Sequence, residues 1–269
     1  MASSNPAFSN SPAFTQSATK AIQWTQEPSA QQLDELYARS AATPEQMDRM
    51  TYENTIVKTV VAFFVLLVGA AIGWFIPALT IPAAIIGFVL ALVNIFKKKP
   101  SPGLVLAYAA VQGLFVGGIS GIFETIYPGI VTQAVLGTFA VVGVVLALFA
   151  SGKIRASKRA TKVFLVAIVG YMLFSLINLG LMIFGVTDSA FGLRSEPSFI
   201  FGIPWGVIIG IFVILLASYS LVLDFESIKT GVQRGAPAVW GWQAAFGIMV
   251  TVIWLYLEIL RMLAILRGD

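Results

Sequence analysis

The residues of this chain that could do chemistry are the few charged groups set inside apolar stretches. Asp224 and Glu226 follow the uncharged run from Ile211 to Leu223, Glu258 and Arg261 stand late in the last apolar stretch, and Glu124 ends an earlier one. Gln112 and Asn178 add neutral polarity at mid-stretch. An ionisable group in hydrocarbon is expensive unless it is paired or faces water, so each of these is a candidate for an ion path or a proton site. Glu258 and Arg261 are three residues apart and share a helix face, so they can neutralise one another; alternatively, Glu258 lines an ion path. Glu124, beside Tyr127 and Pro128, reads as an interfacial acid. Asp224 and Glu226 point to different sides of a helix, so at least one faces protein unless both sit at a hydrated helix end.

The chain holds no histidine and no cysteine. That removes zinc-protease motifs, Ser-His and Cys-His nucleophile pairs, thiolate metal sites and disulfides. Proton sensing falls to carboxylates or lysine, because the side chain that ordinarily titrates near neutrality is missing. No enzyme activity, no cofactor and no metal site is expected. A retinal protein is excluded because the last apolar stretch, Trp240 to Leu266, contains no lysine for a Schiff base. Intramembrane aspartyl proteolysis could use Asp224 and Glu258, but nothing else favours it.

The elements that must position these groups follow from composition. With 58% hydrophobic residues, 11% charged and a mean hydropathy of +0.87 over 269 residues, a soluble fold is ruled out. Residues 1–50 are polar and rich in Ser, Ala, Pro and Gln, which predicts a disordered cytoplasmic tail with no core of its own. Residues 51–269 read as an all-α, seven-helix transmembrane domain. Spans are predicted at 57–76, 81–96, 104–126, 130–151, 163–185, 199–223 and 240–266. The second is short and carries Pro77 and Pro82 at its entry, so a six-span arrangement with a re-entrant second segment is the alternative. Gly113, Gly117 and Gly121 recur every four residues in the third span, a pattern for close helix–helix approach.

The net charge of +4 and pI near 9.4 could signal nucleic acid, but the basic residues are better read as orientation signals. Lys97, Lys98 and Lys99 follow span two, Lys153, Arg155, Lys158, Arg159 and Lys162 follow span four, and Lys229 and Arg234 follow span six. The opposite loops carry only Arg194, after span five. The positive-inside bias therefore predicts a cytoplasmic amino terminus and an outward-facing Arg267. No basic and apolar leader opens the chain, so the first span is expected to do the targeting, and the short loops suit a bacterial plasma membrane.

Ser218-Tyr219-Ser220-Leu221-Val222-Leu223-Asp224, followed later by Leu255-Tyr256-Leu257-Glu258-Ile259-Leu260, resembles the transmembrane Bax-inhibitor-motif family, also called Bax inhibitor/YccA. Pro102-Gly103-Leu104, Gln112-Gly113-Leu114-Phe115-Val116-Gly117 and Gln133-Ala134-Val135-Leu136-Gly137-Thr138-Phe139 carry the same resemblance, in order, over about residues 50–269. It implies a seven-helix bundle with a proton-sensitive pair of acids between helices six and seven and, in some members, a slow calcium leak. By position, Asp224 matches the first acid and Glu258 the second. Two carboxylates meeting out of water cannot both ionise easily, so they would share a proton and titrate as a pair. Deprotonated oxygens also suit a hard cation such as calcium, which would compete with the proton. Glu258 stands where the family has Asp, Arg261 where a neutral polar residue is usual, and Gln112 where many members have Glu; with Glu226 and Glu124 these are the expected modulators.

The function expected is thus a pH-responsive cation leak channel or ion-homeostasis protein of a cell membrane, sensed by Asp224 and Glu258. The alternative is a non-conducting membrane protein that binds a membrane protease or another membrane partner. Neither involves nucleic acid.

Overall fold

The computed structural model describes residues 48–187, 189, 191–198 and 202–268. The tail expected over 1–50 lies outside the described residues except for its last three. Those three are attached to the bundle: the Met50 N–H donates to the Ala236 carbonyl at 2.7 Å, the Ala238 N–H to the Asp48 carbonyl at 2.8 Å, and Met50 is buried.

The described residues contain seven helices long and apolar enough to cross a membrane, and the chain is an all-α polytopic membrane protein. In order they are α1 (Tyr52–Phe75), α2 (Thr80–Phe96), α3 (Pro102–Ile126), α4 (Ile130–Ala150), α5 (Lys158–Ile183), α6 (Trp205–Gln233) and α7 (Trp240–Gly268). Helices are what a bilayer permits, because each satisfies its backbone hydrogen bonds internally where no water is available. The six-span alternative is overturned at α2. The 3₁₀ turn Pro77–Leu79 runs straight into α2, and together they make 20 residues, about 30 Å and a full hydrocarbon thickness.

Local chemistry fixes where the helices start. Thr51 caps α1, its hydroxyl accepting from the Asn54 N–H at 3.1 Å, so α1 begins five residues before its apolar run. Ser157 caps α5 in the same way through the Ala160 N–H at 3.2 Å. Glu124 does the equivalent for α4: its two carboxylate oxygens accept from the Gly129 N–H (2.6 Å) and the Val131 N–H (3.0 Å). A carboxylate there satisfies orphan donors and faces the positive end of the helix dipole. Glu124, expected only as an interfacial acid, thus has a specific structural task.

α7 is the axis of the bundle. Ala245, Met249, Leu255, Leu260 and Ala264 on it are almost wholly buried, with α1, α3, α4 and α6 packed around. α2 lies against α3, and α5 is peripheral, burying only Phe164 and Asn178. The tightest helix pair is α1 with α3, and glycine makes it possible. A Cβ on Gly117 would run into the Ala70 backbone and one on Gly113 into the Leu66 carbonyl, while Gly69 and Gly73 on α1 face Ala110 and Leu114 in the same way. Without a hydrophobic force between helices in lipid, this backbone-to-backbone approach is a main source of cohesion.

The basic clusters after α2 and α4 and the last turns of α6 gather at one end of the bundle, here the basic end. α6 differs from expectation at both ends. It starts at Trp205 rather than 199, because 202–204 turn back on the preceding loop: the Ser198 N–H donates to the Ile203 carbonyl and the Trp205 N–H to the Glu196 carbonyl, both at 2.9 Å. It then continues to Gln233, so Asp224 and Glu226 lie within the helix and not at its end.

Candidate functional site

Glu258 is the most deeply buried acid among the described residues, 1% exposed at the middle of α7. Oε1 pairs with Arg194 Nη1 at 3.2 Å. Oε2 pairs with Arg261 Nη1 at 3.1 Å and accepts from the Tyr171 hydroxyl at 2.8 Å. Arg194 Nη2 also donates to the Tyr171 hydroxyl at 3.2 Å and to the Ser175 hydroxyl at 3.1 Å, and Arg261 Nη1 reaches the Tyr171 hydroxyl at 3.3 Å. One carboxylate is therefore held by two guanidiniums and a phenol drawn from α5, α7 and the α5–α6 loop. Two cations against one anion leave a surplus of one positive charge. Two aromatic faces help to offset it, the Arg194 guanidinium lying 5.3 Å from the Tyr171 ring centre and 5.5 Å from that of Phe174.

Arg194 reaches this site because its loop folds inward. The loop is pinned by Asn178 of α5, whose amide donates to the Phe191 carbonyl at 3.1 Å and whose carbonyl accepts from the Leu193 N–H at 2.8 Å. Gly192 turns the chain at φ +60°, and a Cβ there would lie 2.5 Å from Asn178 Oδ1, so only glycine fits both the backbone and the space. The short 3₁₀ turn Gly192–Arg194 then delivers the guanidinium, and Arg194 is 3% exposed. The sequence reading placed this cation in an aqueous loop as an orientation signal. The correction has a simple cause: Glu258 offers it a counter-charge inside the bundle.

Asn178→Ala should unpin the loop. Two hydrogen bonds to partly buried backbone groups vanish, a loss of about 1–3 kcal/mol. Amide exchange is expected to accelerate across 191–198 while the core of α7 stays protected. Unchanged exchange in that loop would show that Asn178 does not hold it.

Asp224 occupies a second, separate polar site. Its Oδ2 accepts from the Thr251 hydroxyl at 2.7 Å, and Ser220, one turn earlier on α6, lies 3.4 Å from the same hydroxyl. Oδ1 packs over Gly247, where a Cβ would approach it to 3.1 Å. Thr251 precedes Glu258 by seven residues, about 10 Å along α7. Asp224 and Glu258 thus sit at different depths, each with its own partners, and do not meet to share a proton. The offset follows from the turn at Gly235: Asp224 lies nine residues before the end of α6, whereas Glu258 lies eighteen after the start of α7.

The remaining candidates scatter. Glu226 makes a half-exposed ion pair with Lys229 at 3.7 Å, one turn along α6. Gln112 points to α2, its Oε1 lying 2.6 Å from where a Cβ on Gly87 would be, and takes no part in either acid site. Arg194, Tyr171, Ser175 and Thr251 are the participants that sequence reasoning missed. Tyr171 and Ser175, four apart and followed by Asn178 on a largely apolar span, are the signal that could have revealed a polar face on α5. Among the described residues, no group of three or more acids is gathered to hold a metal ion.

In chemical terms, every oxygen of Glu258 is engaged by a cation or a hydroxyl, so the site acts as a clamp joining α5, α7 and the loop. Asp224 is only partly buried and keeps Oδ1 free of the Thr251 bond, so it retains capacity for a proton or a cation. A search of curated proteins finds no match to the chain. A family model described as Bax inhibitor 1 like matches residues 5–268, and the chain belongs to that family of membrane proteins.

Proposed function

We propose that the protein is a pH-responsive leak pathway for cations, with calcium the first ion to test, and that its clamped form is closed. The observation that carries this reading is the division of the two acids. Asp224, nearer the basic end, is held by the Thr251 hydroxyl and by no cation among the described residues, and Glu258, about 10 Å deeper, is paired with Arg194 and Arg261. A surplus positive charge in the clamp opposes passage of a cation, so conduction requires Arg194 and its loop to withdraw. Nothing in this mechanism is enzymatic.

The test is flux of calcium and potassium into liposomes holding the purified protein between pH 5 and pH 8. Wild type is expected to vary with pH. Asp224→Asn should flatten that dependence to within about twofold, and Arg194→Gln should raise flux at every pH. A pH profile that survives Asp224→Asn would sink the sensor assignment, and no flux from any variant would sink the channel. The second reading, a non-conducting protein that binds a membrane partner, draws on α5, where Val163, Val166, Val169 and Met172 are all exposed along a peripheral helix. Copurification of a stoichiometric membrane partner without ion flux would favour it.

A further inference from the structure

Between α1 and α4, in the half of the bundle away from the basic end, lies a cleft of about 680 Å³ floored by α3 and α7. Both flanking helices pack on α7 and α3 without closing on each other. Its floor is Val116, Gly117, Ser120, Ile253 and Tyr256, and its rim carries the exposed side chains of Leu67, Phe75 and Phe139. The hydroxyls along the cleft are already satisfied. The Ser120 hydroxyl lies 2.6 Å from the Tyr256 hydroxyl and 2.6 Å from the Val116 carbonyl, and the Thr138 hydroxyl donates to the Ala134 carbonyl at 2.7 Å.

Three physical facts select an occupant. The walls are almost entirely hydrocarbon, with Trp74 at the outer end the one indole among them, and a site of that kind takes apolar ligands. The volume falls within the range of pockets that hold small molecules, roughly 300–1,000 Å³. The cleft follows α1 from Phe63 to Phe75, twelve residues or about 18 Å, close to one leaflet of a hydrocarbon core about 30 Å thick. Its rim opens sideways, where a membrane-spanning chain meets lipid tails. At its far end Trp74 also lines a second cavity of about 390 Å³ that contains Glu124 and Thr125, a polar neighbourhood at headgroup depth.

We propose that this cleft is a binding site for one acyl chain of a glycerophospholipid from the leaflet opposite the basic loops, held as a resident lipid and not exchanged as freely as annular lipid. The site is independent of the ion-leak reading.

Native mass spectrometry of the full chain, released from detergent micelles titrated with palmitoyl-oleoyl phosphatidylcholine, tests it. Wild type is expected to retain one lipid well above the statistical background. Ala71→Phe and Val135→Phe place a ring in the cleft and should reduce that retention at least fivefold. Leu136→Phe, on the neighbouring exposed position of α4 outside the cleft, should leave it unchanged. Thermal unfolding guards against misfolding, since the two filling variants are expected to melt no lower than wild type. Equal retention in all four proteins, no retained lipid in wild type, or a dimer mass in place of the lipid would each overturn the proposal. A lipid lost only from the two filling variants, with melting preserved, supports it.

Discussion

Glu258→Gln is expected to destabilise the protein more than any other single substitution in the clamp, by about 3–5 kcal/mol, the range for removing one partner of a buried ion pair. The reason lies in the charge balance. With Glu258 present, two guanidiniums face one carboxylate and the cluster carries one surplus positive charge. Without it, the Arg194 and Arg261 guanidiniums converge on the Tyr171 hydroxyl with no anion between them. Arg194→Gln moves the balance the other way, to one anion and one cation, and leaves Glu258 paired with Arg261 at 3.1 Å. It should therefore cost clearly less, although Arg194 is nearly as buried as Glu258. Equilibrium unfolding in mixed detergent, with m-values compared to establish that the same transition is measured, gives both numbers. A larger loss for Arg194→Gln than for Glu258→Gln would mean that packing of the loop, and not charge neutralisation, holds this site together.

Gly117→Ala should be comparably damaging for a reason that involves no charge. A single methyl at this position would collide with the Ala70 backbone, and backbone cannot rotate aside as a flexible side chain can. α1 and α3 would have to separate along the interface that Gly69, Gly73 and Gly113 also form. Overpacking of a core ordinarily costs about 1–3 kcal/mol, and a collision with main chain belongs at or above the top of that range. Gly143→Ala supplies the contrast. A Cβ on Gly143 in α4 would meet nothing within 4 Å, so the substitution should stabilise by about 0.5–1 kcal/mol through the better helix propensity of alanine. Thermal melts of the two variants should move in opposite directions from wild type. If both moved the same way, the close approach of α1 and α3 would not be what limits substitution at Gly117.

These two cases mark how far the sequence could be read. The glycine repeat in the third span was visible as a repeat, and its meaning as a helix contact needed only the four-residue spacing. Its partner was not visible, because α1 carries its matching glycines at 69 and 73 among many small residues with no charge to single them out. In the clamp, the spacing of Glu258 and Arg261 placed both on one helix face. The other partner, Arg194, was hidden because a cation between two spans has two readings that look identical in sequence. It can sit in water at the membrane surface, or return inward if the fold offers an anion. The choice depends on Asn178 and Gly192 turning the loop, a tertiary fact.

The acids of helices six and seven show the same limit. Their types and their positions near the ends of long apolar runs were legible. What each acid touches was not.

The amino-acid sequence alone determined the medium and the end at which positive charge collects, and narrowed the crossings to seven or six, because these depend on hydropathy and charge summed over tens of residues. Tertiary structure alone decided which side chain neutralises each buried acid, which helices touch through glycine and where a cleft opens to lipid. Those outcomes turn on approaches of a few ångströms between segments as far apart as positions 171, 194 and 258, and no local pattern encodes such distances.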